Sequence, residues 1–373
     1  MHEIQHTPLM FTPQTDTIEL FFALIRCGIG KENSLPYSPA PEEWRNLFEM
    51  AKKQTLVGIT FAGIEKLPEE QRPPKNVLLQ WYTLSENIKN TNIDLNKKVN
   101  IVSQKFKAEG FSNCILKGQG IALLYPNPLL RTPGDIDIWL AGESKKIISY
   151  VKNIIPECSP TYHHVDFPIS KDVDIEIHYR PSWMCNPITN KKIQQFYTEQ
   201  ANIQFAEATD AKDFPVPGIA FNRIFILHHI YRHLFSEGIG IRQVLDYYFV
   251  MQQQMTKDDK AVYVKQLKEF GLYKFASAIT YVMQRMFALD EAHTVVKPNK
   301  KEGEFLLHEI MTAGNFGMYD TRYTSTVHGL NFAHIGNIAK RSFTLFTHYP
   351  TETIWTPLFK IWHYFWRKRN KQK

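Results

Sequence analysis

The segment Gly134-Asp135-Ile136-Asp137-Ile138-Trp139-Leu140 constrains this chain more than any other. Ile136, Ile138 and Leu140 alternate with Asp135, Asp137 and Trp139, and a period of two predicts a strand with one apolar face. Asp135 and Asp137 then leave the strand on the same side, roughly 6–7 Å apart. Carboxylates that close repel each other, so one takes up a proton or a cation stands between them. Gly134 lets the chain turn into the strand and leaves room beside it for a ligand.

Val173-Asp174-Ile175-Glu176-Ile177-His178-Tyr179 alternates in the same way, with Asp174, Glu176 and His178 on one face. Laid beside the first strand, it brings a third carboxylate, Asp174 or Glu176, to the Asp pair; alternation alone does not choose. Three converging carboxylates make a site for hard cations, most naturally Mg²⁺, and two such ions suit in-line displacement at phosphorus. Upstream, the apolar stretch from Phe111 to Leu116 reads as a strand that closes on Lys117-Gly118-Gln119-Gly120, with a helix starting at Ile121. Such a glycine turn aims backbone N–H groups at a phosphate. Lys117 adds a point charge there or is a solvated strand-end lysine. Tyr125-Pro126-Asn127-Pro128 reads as a rigid turn, and Arg131 after it grips a phosphate or pairs with one of the Asp residues.

Leu-Lys-Gly, the Tyr-Pro-Asn-Pro loop, Arg131, Gly-Asp-Ile-Asp-Ile and Ile-Glu-Ile-His together resemble the uncharacterised bacterial nucleotidyltransferase family, of the polymerase-β type. The likeness runs from about Ile18 to the aromatic tail. It implies an α+β fold in which a small mixed nucleotidyltransferase-type sheet is flanked by helical N- and C-terminal regions. The expected divisions are a helical region over 1–95, a nucleotidyltransferase core over 96–185, and a helical region with a basic aromatic tail over 186–373. It also implies transfer of an NMP group from an NTP, such as ATP, to an acceptor hydroxyl with release of pyrophosphate, by a two-metal mechanism using Mg²⁺ or Mn²⁺. The resemblance selects Glu176 over Asp174 as the third acid beside Asp135 and Asp137, and assigns Lys117, Gly118, Arg131 and Gly134 to the nucleotide. The acceptor, whether small molecule, protein side chain or RNA end, is not readable. The rival reading is a catalytically inactive module that binds nucleotide or a partner.

The remaining signals are weaker. His163, His164 and His178 invite a zinc reading, but they lack helical or knuckle spacing and the nearby acids favour a harder ion, so they are expected to line the cleft or cap strands. Ala220 to Phe235 reads as an apolar helix carrying His229 and His233 four apart on one face; without a Glu after His229, a zinc protease is not indicated. The next helix offers Arg242 and Asp246 as an i, i+4 pair, and the family likeness implies that these two helices close over the cleft. Of the net charge of +7, six cations and no acid fall between Lys360 and Lys373, leaving about +1 elsewhere, so no broad nucleic-acid face is implied. The tail's aromatics either pack on the body or lie on an anionic membrane surface, with packing favoured. No membrane-spanning run is present, and Met1-His2-Glu3-Ile4-Gln5 does not read as a signal peptide, so the cytoplasm is expected. Cys27, Cys114, Cys158 and Cys185 lack metal-pair spacing and read as reduced packing residues.

Overall fold

The structure is a computed structural model that describes residues 15–206, 209–211, 214–322 and 332–371. The expectation for Met1–Gln5 lies outside these residues. Four helices come first: α1 (Thr15–Gly28), α2 (Pro41–Lys53), α3 (Val57–Lys66) and the long α4 (Lys75–Ala108). The central part holds β1 (Asn113–Leu116), a single-turn α5 (Gly118–Ala122), β2 (Ile136–Leu140), α6 (Ser144–Ile154), β3 (His164–Asp166) and β4 (Ile175–His178). After α7 (Pro187–Ala206) and a small hairpin of β5 (Thr209–Ala211) and β6 (Phe214–Val216), helices complete the described chain. These are α8 (Ile219–Ser236), α9 (Ile241–Met251), α10 (Lys257–Glu269), α11 (Tyr273–Phe287), α12 (Lys300–Ala313), α13 (Phe332–Phe346) and α14 (Pro350–Lys371). The fold is α+β, a small mixed sheet flanked by helices.

The sheet has the order β1-β2-β4-β3, with β2 antiparallel to β1 and parallel to β4, and β3 antiparallel to β4. Ile136, Ile138 and Leu140 of β2 and Ile175 and Ile177 of β4 pack into one core with Val99, Val102 and Phe106 of α4 and Ile147 and Val151 of α6. This is the apolar face that alternation predicts. The opposite face is not solvated either. Trp139 is buried in the main helical core, its ring 5.5 Å from Phe221 of α8 in a stacked arrangement. Asp137 therefore sits buried beneath a roof of helices, while Asp135 just ahead of the strand stays partly in water.

Two elements escape the sequence reading. Helix α3 contains Gly58 and Gly63, poor helix formers, but an added Cβ would lie 2.3 Å from the Leu130 carbonyl oxygen at the first and 2.5 Å from that of Leu24 at the second. Close packing, not propensity, fixes them. The β5–β6 hairpin has too few residues to show a period. Among the described residues no helix is long and apolar enough to cross a membrane. All four cysteines are free, three of them buried.

Helix α14 packs on the edge of the sheet. Tyr162 meets Phe359, Trp362 and Trp366 edge-on, and the Tyr162 backbone N–H donates to His363 Nε2 at 3.1 Å. Its outer face leaves Ile354, Leu358, Ile361 and Phe365 exposed.

Candidate active site

Parallel pairing of β2 with β4 sets Asp137 directly opposite Glu176 and Trp139 opposite His178. Side chains that face each other across a strand pair leave the sheet on the same side, so both acids and His178 converge beneath α8. His178 Nε2 lies 2.8 Å from Asp137 Oδ1 and 3.2 Å from Glu176 Oε2. Its Nδ1 faces the Arg180 carbonyl oxygen at 3.3 Å. Lys117, at the end of β1, reaches back over the same acids, with Nζ 3.0 Å from Asp137 Oδ2 and 3.3 Å from Asp135 Oδ2. Lys117 Nζ is thus the ion-pair partner of the buried Asp137 Oδ2. Lys117 itself adopts φ 38° and ψ −145°, a conformation rare for a residue with a side chain, and Gly118 follows at φ 43°.

In front of Asp135 lies a narrow cleft. Lys117, Gly118, Arg131, Gly134, Asp135, His229, Arg242 and Asp246 all line it, with Phe316 and residues of α8 closing the far side. Helices α8 and α9 contribute His229, Arg242 and Asp246 to this lining. The free space inside is only about 30 Å³, room for about one water molecule.

A family profile described as uncharacterised nucleotidyltransferase matches residues 40–288. The chain belongs to that family. No curated protein matches it in sequence. Among solved structures, the chain is similar to an antigenic nucleotidyltransferase-like protein from Paracoccidioides brasiliensis, at 12% identity and a TM-score of 0.33, over 59% of this chain and 98% of that one.

Several residues selected in this nucleotidyltransferase by sequence stand elsewhere than expected. Asp246 does not pair with Arg242 one turn away. It accepts from Arg131 Nε at 2.7 Å, Arg131 Nη2 at 2.8 Å and the Tyr125 hydroxyl at 2.7 Å, all buried. Arg242 instead donates to the Thr132 carbonyl oxygen at 2.8 Å. A helical spacing rule sees only neighbours on one helix, and these partners come from the loop before β2. Arg131 does pair with an aspartate, but with neither member of the β2 pair. Gly134 has no positive φ, and an added Cβ would find nothing nearer than Arg242 Nη1 at 3.8 Å, so neither turn geometry nor packing demands glycine there. Asp174 is exposed and lies before β4; its backbone carbonyl accepts from Ile136 N at 2.9 Å. His233 stands outside the cleft lining, bonded to Glu237 Oε2 at 2.9 Å, while its ring packs 4.4 Å from that of His229.

The charges explain how the acids coexist. Burial alone would lower His178's pKa, but its contacts with Asp137 and Glu176 push it up to about 9, so it is an imidazolium at neutral pH. Burial alone would raise Glu176; the hydrogen bond from His178 and the charges of His164, His178 and Lys117 hold it below the usual carboxylate range. Burial would likewise lower Lys117, and Asp135, Asp137 and Glu176 together outweigh it. The cation demanded by the acidic cluster is thus supplied by the protein's own His178 and Lys117. Asp137, Glu176 and His178 nevertheless place ligand atoms within 4.8 Å of one another. With the half-exposed Asp135 alongside, the carboxylate oxygens of this set suit a hard divalent ion that takes the place of the Lys117 and His178 charges.

Sequence reasoning did not foresee the pairing of His163 with His164, at 2.8 Å between ring nitrogens, or the place of Phe316 in the cleft wall. Neighbours along an extended chain ordinarily point to opposite faces, so the alternation pattern hides the first. Nothing local marks Phe316.

Proposed function

We propose that this chain moves the nucleoside monophosphate group of an NTP onto an acceptor hydroxyl and releases pyrophosphate. The reading rests on one observation: Asp137 and Glu176, in register on parallel strands, aim their carboxylates at a common point, His178 Nε2. Asp137 and Glu176, with Asp135 beside them, would hold Mg²⁺ or Mn²⁺, and His178 Nε2 can join them once its proton leaves. A divalent ion there supplies charge stabilisation to the transferring phosphoryl group and the departing pyrophosphate.

The side chains do the rest. Lys117 is cationic and fixed at the cleft mouth, where it neutralises phosphate oxygens. Gly118 and Gly134 present bare backbone beside it. Arg131 is fully engaged by Asp246, so it shapes the wall. Glu176 stays ionised to low pH, which suits holding a cation better than accepting a proton near neutrality.

Asp137→Asn tests the reading, assayed with the four labelled NTPs by mass spectrometry of candidate acceptors. Transfer and pyrophosphate release should fall by roughly 100-fold or more with the circular dichroism unchanged. Undiminished transfer would remove the role given to Asp137. Binding of ATP with Mg²⁺ by the unaltered chain, without pyrophosphate release toward any acceptor, would favour a non-catalytic binding module.

The exposed apolar stripe on α14, beside the cations Arg367, Lys368 and Arg369, supports a weak contact with an anionic lipid surface as a second reading. Co-sedimentation with anionic vesicles should drop for Leu358→Ser/Phe365→Ser; equal sedimentation would remove it.

A further inference from the structure

Next to the acids lies a second cluster that nucleotidyl transfer does not use. His163 is buried, packed at 4.1 Å between ring centroids against Trp183. Thr161 Oγ1 lies 3.1 Å from His163 Nδ1 and 3.0 Å from the His164 carbonyl oxygen. With Nδ1 held by Thr161, the other ring nitrogen of His163, Nε2, faces His164 Nδ1 at 2.8 Å. Glu176 Oε2 lies 3.4 Å from the same His164 nitrogen. Three ligand atoms thus gather at one point, within 4.8 Å of one another, and the three residues could together hold a metal ion. Donors of a tetrahedral zinc site, with bonds of about 2.0–2.1 Å, stand about 3.3 Å apart, a spacing that the two measured separations bracket. The far nitrogens also have partners. His163 Nδ1 has Thr161, and His164 Nε2 faces Asp166 Oδ1 at 3.5 Å. A carboxylate or hydroxyl behind each imidazole is the usual support of a metal-binding histidine.

We propose that His163 Nε2, His164 Nδ1 and Glu176 bind a divalent transition-metal ion of the zinc type, distinct from the hard ion expected at Asp137. Two imidazoles and one carboxylate favour such an ion over Mg²⁺. The expectation from sequence, that these histidines only line the cleft or cap strands, rests on their spacing along the chain. The β3–β4 register sets His164 beside His178 and Glu176 instead. Because Glu176 belongs to both clusters, the ion would fix the orientation of that carboxylate.

The test needs no transfer activity. The full-length chain, stripped with a chelator, is titrated with Co²⁺ and followed by visible absorption, and with Zn²⁺ by calorimetry. One Co²⁺ should bind with the intense bands of a low-coordinate site and resist roughly a thousandfold excess of Mg²⁺. His164→Ala should abolish those bands and Asp137→Asn should keep them. Asp166 is exposed, so Asp166→Asn leaves the fold intact and should weaken Co²⁺ about 10-fold. No Co²⁺ binding, displacement by Mg²⁺, loss of the bands in Asp137→Asn, or equal affinity in both His164→Ala and Asp166→Asn would each overturn the proposal.

Discussion

Lys117 carries an unusual load for one residue. Its backbone sits at positive φ, where a side chain costs about 1–3 kcal/mol, and such strain persists only where its surroundings hold it. What holds it is the grip of Asp135 and Asp137 on Nζ. Lys117→Met keeps the stem and removes the charge, leaving the buried Asp137 with His178 as its remaining cation. Breaking a buried pair costs about 3–5 kcal/mol, less here because Asp135 is partly in water. The thermal midpoint should fall in Mg²⁺-free buffer, and millimolar Mg²⁺ should restore more stability to the variant than it adds to the unaltered chain. Equal Mg²⁺ responses in differential scanning calorimetry would mean that no divalent ion replaces the lost charge. The Leu116-Lys117-Gly118 turn and the Asp pair are each visible in the sequence. Their contact is not, because the partners are eighteen residues apart and meet only once β1 and β2 pair.

At the scale of elements, β2 and β4 are legible because two environments alternate along each of them. Helix α3 is not, since its glycines answer to Leu24 and Leu130. The tail helix α14 is legible as amphipathic, but which surface it meets depends on Tyr162, some two hundred residues earlier. That docking carries a pH dependence. Burial first, then the charge of Arg367, push His363 down to about 4 from an ordinary 6.5. The undocked ring therefore takes up a proton before the docked one does. The contribution to docking is complete above pH 6.5 and is lost as pH falls toward 4. Amide protection factors across Phe359–Arg367, taken against the intrinsic exchange rate at each pH, should fall on acidification through this window, and His363→Phe should flatten the response. Unchanged protection factors between pH 7 and 4 would show that the Tyr162 bond does not hold the helix.

Over the whole molecule, the sheet with α4 and α6 keeps one apolar core and the remaining helices share another. Between them stands the nearly closed cleft, and its far end is clasped by a polar knot. Tyr125 and Arg131 come from the loop ahead of β2, Asp246 and Arg242 from α9, and Arg242 returns to the Thr132 carbonyl. The sequence shows each of these side chains but not that they meet, since the joining contacts span more than a hundred residues. All three bonds to Asp246 tie the loop ahead of β2 to α9. Asp246→Ala should therefore cost about 3–5 kcal/mol, read from urea unfolding, because it strands a buried guanidinium. If that stranding is the cause, Arg131→Met combined with Asp246→Leu should recover much of the loss, for an apolar pair of similar volume replaces a buried ion pair at little cost. A double variant as unstable as Asp246→Ala alone would mean that the directional bonds themselves hold this loop against α9.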